Sequence, residues 1–407
     1  MMQRPAGALE NIRIVDLTQM LAGPYCTMML ADQGADVIKV EPIEGDGTRT
    51  TGPFREGDSV GAYGGYFASV NRNKRSIALD LKTAGGRAIL VKLVRSAEAV
   101  VENFRAGVME RLGVSYEELR RENPRLVYVS IRGFGDPRTG RSPYTEWPAY
   151  DPVAQAMGGI MGITGPDAET PLKVGPGVGD LVPAMMAAYG LVCAVLRARE
   201  VGQGQYVDIS MVDSILSTCE RIVYQRSLQG VNPRPEGNRH PLLAPFGMVR
   251  AQDGWITIAA HTDEFWKKLC VVMKREDLIE DPRMMNRRAR VDNQAAVYEA
   301  IETFSLLHTK EELKSLLGGK IPFGPVYHID EIATDAHFKI RNMIVEVEHP
   351  GCAKPLSIAG VPIRMTDTPG SIRRRAPLLG EDTDEILQEI GYAADEVARH
   401  KQSGIVR

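Results

Sequence analysis

Ile12-Arg13-Ile14-Val15-Asp16-Leu17 is a short apolar run that reads as a buried strand. Gly23-Pro24 then opens a helix through Met28, Met29 and Leu30. A second apolar run follows at Gly34-Ala35-Asp36-Val37-Ile38-Lys39-Val40-Glu41. Strand, helix and strand within about 30 residues is the βαβ unit, whose strands run parallel. The pattern recurs: residues 82–96 have helical spacing of Ile89, Leu90, Leu93 and Val94, and Ala99-Val100-Val101-Glu102-Asn103-Phe104 is a strand end. Residues 116–122 predict a short helix and residues 126–131 another strand. No other feature constrains the chain as much. Its first 135 residues call for an α/β layer, a parallel sheet with helices on both faces.

Beyond that layer, residues 181–200 predict a long helix and residues 208–229 a further helical stretch. The character changes at residues 230–245, which hold four prolines and mark a boundary. After an Asp253-Gly254 turn comes a strand at residues 255–260, then amphipathic helices at 265–274 and 293–307. This middle part reads as a smaller α+β unit. Strands and turns return from residue 344, and residues 382–390 form a helix capped at Asp382 or Thr383.

Composition narrows the function. The 49 Lys+Arg against 52 Asp+Glu leave a net charge of −3, with no footprint for nucleic acid. Five scattered cysteines make no CxxC, and the seven histidines make no HExxH. That argues for a reducing cytoplasm and against a disulfide framework or a metal centre. No signal peptide is visible at residues 1–9. The uncharged stretch 181–196 is short for a membrane span and reads as a buried helix. Gly makes up 40 of 407 residues, above the usual share of about 7%, without a collagen period.

Part of that glycine lies in Gly175-Pro176-Gly177-Val178-Gly179-Asp180, directly before the long helix. The spacing is GxGxG, so the dinucleotide fingerprint GxGxxG does not fit. Three residues without side chains would leave an open way to Asp180. A carboxylate at a helix N-terminus is favoured in its ionised form by the amides and the macrodipole, and such a group can act as a nucleophile. The same residue can equally be an ordinary N-cap, and a tightly capping oxygen is a poorer nucleophile. A basic set, Asn71-Arg72-Asn73-Lys74-Arg75 with Lys82, Arg105 and Arg111, falls near predicted strand ends and suits cofactor phosphates or a solvated surface. Arg373-Arg374-Arg375 reads as surface, and Tyr150-Asp151, between Pro148 and Pro152, as a turn.

An ordered set of segments resembles the family III CoA-transferases, the CaiB–BaiF family, from near residue 9 to near residue 392. The carrying residues are Leu21-Ala22-Gly23-Pro24, Leu30-Ala31-Asp32, the Gly34–Glu41 run, Asn73-Lys74-Arg75-Ser76, Leu79-Asp80-Leu81-Lys82 and Val101-Glu102-Asn103-Phe104-Arg105. They continue through Asn123-Pro124-Arg125-Leu126, Tyr150-Asp151, Gln155-Ala156, Gly179-Asp180, Gly202-Gln203-Gly204-Gln205-Tyr206-Val207-Asp208 and Leu379-Gly380-Glu381-Asp382-Thr383-Asp384.

The resemblance implies an α/β fold: a Rossmann-like large domain formed from both chain ends (1–225 and 330–407), with a smaller α+β domain inserted (226–329). It implies an interlocked homodimer without membrane or nucleic-acid partners. It also implies an acyl-CoA:carboxylate CoA-transferase with Asp180 as the catalytic aspartate. CoA enters as substrate, with no permanently bound cofactor and no metal. Amides near Gly179 and the helix start would stabilise each oxyanion. By matching position, CoA contacts are implied for Leu21, Ala22, Leu79, Lys82, Asn103, Phe104, Arg105 and Arg111. Arg239 and His240, in the linker, are candidates for holding the second carboxylate of a short dicarboxylic acceptor such as succinate, or belong to an ordinary polar loop.

The sequence departs from the family pattern at Ala106, where many members have Pro, and at Asp382, where His is usual. Pro42 and Pro148 stand where some members place basic CoA contacts, and the Gly-rich flap of oxalate and formate enzymes is not evident near residues 237–247. Two alternatives remain at this level. An α-methylacyl-CoA racemase pairs the same aspartate with a His where this chain has Tyr150, and a phenol with a pKa near 10 is a poor substitute. A non-catalytic CoA-binding protein would need no nucleophile.

Overall fold

Six parallel strands form the main sheet in the computed structural model, which describes residues 7–407. They are β1 (Arg13–Asp16), β2 (Asp36–Glu41), β3 (Arg75–Ala78), β4 (Ala99–Glu102), β5 (Val127–Arg132) and β6 (Tyr206–Ser210). Their order is β3-β2-β1-β4-β5-β6. β4 and β5 are buried at every residue, because helices cover both faces of a parallel sheet. Ile38, Ile77, Ile89, Leu90, Leu93 and Val100 share one core, and each such side chain contributes about 1.5–3 kcal/mol by leaving water.

Two strands depart from the expectation. β3 begins at Arg75, the last residue of the segment read as a basic motif, and β6 overlaps the start of the stretch read as helical. The reason for β6 is pairing. Tyr206–Ser210 runs alongside Tyr128–Arg132, and Asp208 Oδ2 accepts the Asp136 amide at 2.9 Å. Helices begin only afterwards, at Met211–Thr218 and Glu220–Gln229.

Both chain ends build this layer. The C-terminal helices Thr383–Glu389 and Ala394–Gln402 place Ile386, Leu387 and Val397 in the same core, and Leu79 bridges Val406. The chain divides into two compact units. The first is Met1–Ile160, Val174–Tyr224 and His337–Arg407; the second is Met161–Lys173 and Gln225–Ala336. Residues 161–173 and 330–336 thus group with the second unit, whereas the sequence reading gave them to the large domain. Within that unit the Gly237 amide donates to the Gly165 carbonyl at 2.9 Å.

The second unit holds an antiparallel sheet, β7 (Gly247–Ala251), β8 (Gly254–Ile258) and β9 (Phe323–Pro325), with helices Asp263–Met273, Gln294–Ser305 and Lys310–Leu317. Trp266, Leu269, Val297 and Tyr298 form its core. The first unit also carries a hairpin of β10 (Ile344–Val347) and β11 (Leu356–Ala359).

The long helix spans Val178–Val201, with Pro183, Ala184, Ala187, Leu191 and Ala194 buried. It is long and apolar enough to cross a membrane by length and composition alone. The reading of this stretch as a buried helix holds for one face only. Met185, Tyr189 and Leu196 lie exposed on it, Tyr189 at 75%.

Candidate active site

In an open parallel sheet the strand order reverses at one place, and the carboxyl ends of the two strands there leave a crevice. Here that place lies between β1 and β4. A cleft of about 390 Å³ opens there, lined by Gln19, Met20 and Ala22 after β1, by Asn103, Phe104 and Arg105 after β4, and by Arg132 and Gly133 at the end of β5. Trp147, Pro148 and Tyr150 form another wall, and Asp180 reaches in from the long helix.

The loop after β1 is held from three sides. Asp16 is fully buried, and its carboxylate accepts from the Thr18 amide and hydroxyl, from Thr27 and from Lys74. Lys39 Nζ donates to the Thr18 carbonyl at 2.8 Å. The Asn103 side chain brackets Gln19, donating to its carbonyl at 2.7 Å and accepting from its amide at 2.9 Å. Met20 consequently sits at φ 66°, a strained value for a residue with a side chain, and it lines the cleft.

Asp180 is the third residue of its helix, and Gly177 is the N-cap position, without a side-chain cap. The capping carboxylate comes from elsewhere. Asp151 Oδ1 accepts the Gly179 amide at 2.8 Å and the Gln155 side chain at 2.7 Å. Asp151 itself begins a helix, Asp151–Met157, rather than lying in a turn. A Cβ on Gly179 would lie 2.4 Å from the Asp151 carbonyl oxygen, so this glycine permits two helix starts to touch. A Cβ on Gly175 would meet nothing. Among the described residues none donates a hydrogen bond to the Asp180 carboxylate.

Two expectations change as a result. The helix-start amides are already engaged: Val178 donates to Pro176, Asp180 and Leu181 to Gly177, and Gly179 to Asp151. They form no ready oxyanion hole. Nor does the helix terminus keep Asp180 in the usual carboxylate range. Burial, and then the charge of Asp151, push it up to about 7. Burial and next the Asp180 charge push the Tyr66 phenol up to about 12.

The basic set separates into two groups. Arg72 binds Asp32 at 2.7 Å, Lys74 binds Asp16 at 2.9 Å, and Arg75 binds Asp36 and Glu389 at 2.7 and 2.6 Å. Asp32 and Asp16 are buried and require such partners, and Arg75 is taken up by two carboxylates, so these cations serve the fold rather than phosphates. Arg105 and Arg111 line the cleft, are exposed, and have no acidic partner among the described residues. In the segment read as surface, Arg374 pairs with buried Asp382 and Arg375 with Glu381.

Of the remaining candidates, Leu21 lies beside the cleft, its Cδ2 3.2 Å from where a Gly177 Cβ would stand. Leu79 is a core residue, 1% exposed, so its side chain is not in the cleft. Lys82 is exposed beyond β3, two strands from the switch point. Arg239 and His240 belong to the second unit. The Arg239 guanidinium lies 4.3 Å from the Tyr298 ring centre, and His240 Nδ1 accepts the Leu242 amide at 3.0 Å.

The family model for CoA-transferase family III matches residues 9–383. The chain is a family III CoA-transferase. It is 48% identical over 385 residues to a succinyl-CoA:mesaconate CoA-transferase of Haloarcula hispanica, spanning 95% of this chain and 97% of that one. It is 35% identical to a succinate–glutarate CoA-transferase of Agrobacterium fabrum, over 94% and 95% of the two chains. Its fold is similar to that of a CaiB/BaiF family protein from Brucella suis, with TM-score 0.83, 33% identity and coverage of 95% and 100%.

As a family III CoA-transferase the protein is an enzyme that works on CoA thioesters. Sequence reasoning missed Gln19, Met20, Arg132 and Trp147 as cleft residues. Three of them were within reach of it, since Gln19, Met20 and Arg132 stand at or just beyond the carboxyl ends of β1 and β5. Trp147 lies in a loop without any periodic signal.

Proposed function

We propose that this enzyme moves CoA from succinyl-CoA to a short dicarboxylic acid through a thioester on Asp180. One observation carries the reading: a carboxylate that caps nothing, accepts no hydrogen bond from the described residues, and faces a cleft at the sheet's switch point. A carboxylate raised to about 7 is more basic, and more nucleophilic once ionised, than an ordinary Asp.

The chemistry follows in four steps. The Asp180 carboxylate attacks the donor thioester carbonyl, giving a mixed anhydride and CoA thiolate. The thiolate attacks the Asp180 carbonyl, releasing the donor acid and leaving aspartyl-CoA. The acceptor carboxylate attacks that thioester, forming a second anhydride and freeing the thiolate again. The thiolate takes the acceptor acyl group and restores Asp180. No net proton is consumed.

Arg105 and Arg111 meet the CoA phosphates, and Ala22, Asn103 and Phe104 line the way for the pantetheine arm. Leu21 packs behind them, while Leu79 and Lys82 have the weaker case as contacts. The acceptor class is supported by relatives named for mesaconate, glutarate and D-citramalate, all short dicarboxylic acids. Arg239 and His240 are the acceptor-side candidates. The exposed apolar residues of the Val178–Val201 helix support a homodimer, and the free cysteines support a cytoplasmic location.

The decisive experiment incubates the enzyme with succinyl-CoA and hydroxylamine, then maps the peptide masses. Trapped thioester gives a hydroxamate at Asp180 and loss of activity. Asp180→Ala is inactive while still binding CoA. An unmodified Asp180, or full activity in that variant, overturns the reading. A panel of carboxylic acids, read by mass spectrometry, identifies the acceptor.

A further inference from the structure

His349-Pro350-Gly351-Cys352 closes the β10–β11 hairpin. The Cys352 amide donates to the His349 carbonyl at 3.0 Å, and Gly351 has φ 82°. Pro followed by a left-handed Gly makes this a type II turn. Such a turn brings its first and fourth residues together, here an imidazole and a thiol.

A third group comes from far upstream. Residues 55–61 lie against the hairpin: the Ser59 amide donates to the Gly351 carbonyl at 3.2 Å, and Arg55 donates to the Pro355 carbonyl at 2.9 Å. The Val60 and Gly61 amides donate to Asp58 Oδ1 at 2.9 and 2.8 Å. That fixes the carboxylate and leaves Oδ2 toward the turn, 3.4 Å from His349 Nε2. One ligand atom from each of Asp58, His349 and Cys352 lies within 4.8 Å of the other two.

The facing atoms of this pair are buried and incompletely satisfied. The side chains of His349 and Asp58 are each only 6% exposed. Asp58 Oδ2 is buried without a hydrogen-bond partner. Buried polar atoms are ordinarily paired; Asp58 Oδ2 has only the 3.4 Å contact to His349 Nε2, and an oxygen so placed beside a thiol calls for a reason.

We propose that Asp58, His349 and Cys352 bind a zinc ion, with water as fourth ligand. Zinc accepts this mixture of O, N and S donors in a tetrahedron. With bonds of about 2.0–2.1 Å to N and O, the N···O edge of a tetrahedron is about 3.3–3.4 Å. The observed gap is 3.4 Å. The ion would staple the loop that contains Asp58 to the hairpin. That loop leads on to the helix Gly65–Val70. None of the three residues lines the cleft, so the ion would join two segments of the chain and take no part in the transfer chemistry. The absence of CxxC and HExxH hid it, because one ligand arrives through the tertiary fold.

The test uses the full chain in a Cys193→Ser background, which removes the exposed cysteine. Chelator-treated protein is dialysed against zinc and the bound metal is counted. One zinc per chain is expected, with affinity at least about tenfold weaker in Cys352→Ser and in Asp58→Asn. Cobalt in place of zinc is expected to give a thiolate-to-cobalt absorption band that Cys352→Ser abolishes. Zinc should also slow alkylation of Cys352 and raise the melting temperature with the logarithm of its concentration. Two variants at different ligands guard against a folding defect in one, and circular dichroism checks both. Substoichiometric zinc on the parent chain, or unchanged affinity in both variants, overturns the proposal.

Discussion

Replacing Asp180 by Asn should make the enzyme inactive and, above neutral pH, more stable. The ordinary value for this carboxyl is 3.8, and burial followed by Asp151 raises it to about 7. A gap of about three units, at 1.36 kcal/mol each, sets a ceiling of about 4 kcal/mol. Water in the open cleft screens part of it. Between the two values the unfolded chain has lost this proton while the folded chain keeps it. The folded state binds more protons, so stability falls as pH rises through that window. Below 3.8 nothing is lost, and above about 7 the whole cost stands. Asn carries no charge at any pH. The variant should therefore melt above wild type at about pH 8, and the difference should shrink steadily toward about pH 4.

Activity should show the same group from the other side. For the donor acyl-CoA, kcat/KM should climb about tenfold per pH unit below neutrality and level off above about 7. Asp151→Asn keeps an acceptor for the Gly179 amide but removes the second cause of the shift, so the inflection should move to lower pH. Melting differences between wild type and Asp180→Asn, measured across the range, decide the matter. A gap independent of pH, or a wild type more stable than the variant at about pH 8, would refute the argument.

Three further substitutions separate roles. Gly179→Ala drives a methyl into the Asp151 backbone and should cost about 1–3 kcal/mol in denaturant melts, with at least a tenfold loss of kcat. Arg105→Gln and Arg111→Gln should each raise KM for acyl-CoA about tenfold with kcat nearly unchanged, and should flatten the salt dependence of KM. An unchanged KM in both would remove them from the CoA site. Lys74→Met leaves the buried Asp16 without its ion-pair partner, so about 3–5 kcal/mol of stability should go. If instead that variant folds normally and loses CoA affinity, Lys74 belongs with the phosphate contacts after all.

Much of the layer could be read from the chain because its buried parallel strands carry dense short apolar runs, even where polar residues interrupt them. Val127–Arg132 and Asp36–Glu41 show this, and their boundaries fall close to expectation. β3 was hidden because Arg75 and Ser76 spend their polar groups on Asp36, Glu389 and Glu41, partners that only the fold supplies. Lys74 misled for the same reason: a basic residue looks alike in sequence whether it faces solvent or a buried carboxylate. Asp180 could be picked out from its glycines. Its separation from the capping role could not, since the cap is Asp151, on another helix.

That separation is what the proposed role of Asp180 requires. A helix start needs an acceptor for its amides, and a nucleophile needs its oxygens free; one carboxylate does both poorly. Here Asp151 takes the Gly179 amide, which leaves the Asp180 oxygens unclaimed within the same turn. The arrangement has an electrostatic consequence as well. After burial, the Asp151 charge raises the affinity of Asp180 for a proton, which would strengthen the proposed nucleophile once ionised. Gly179 is the joint between these effects. Without a side chain it lets Asp151 approach, and that one contact both caps the helix and tunes its neighbour.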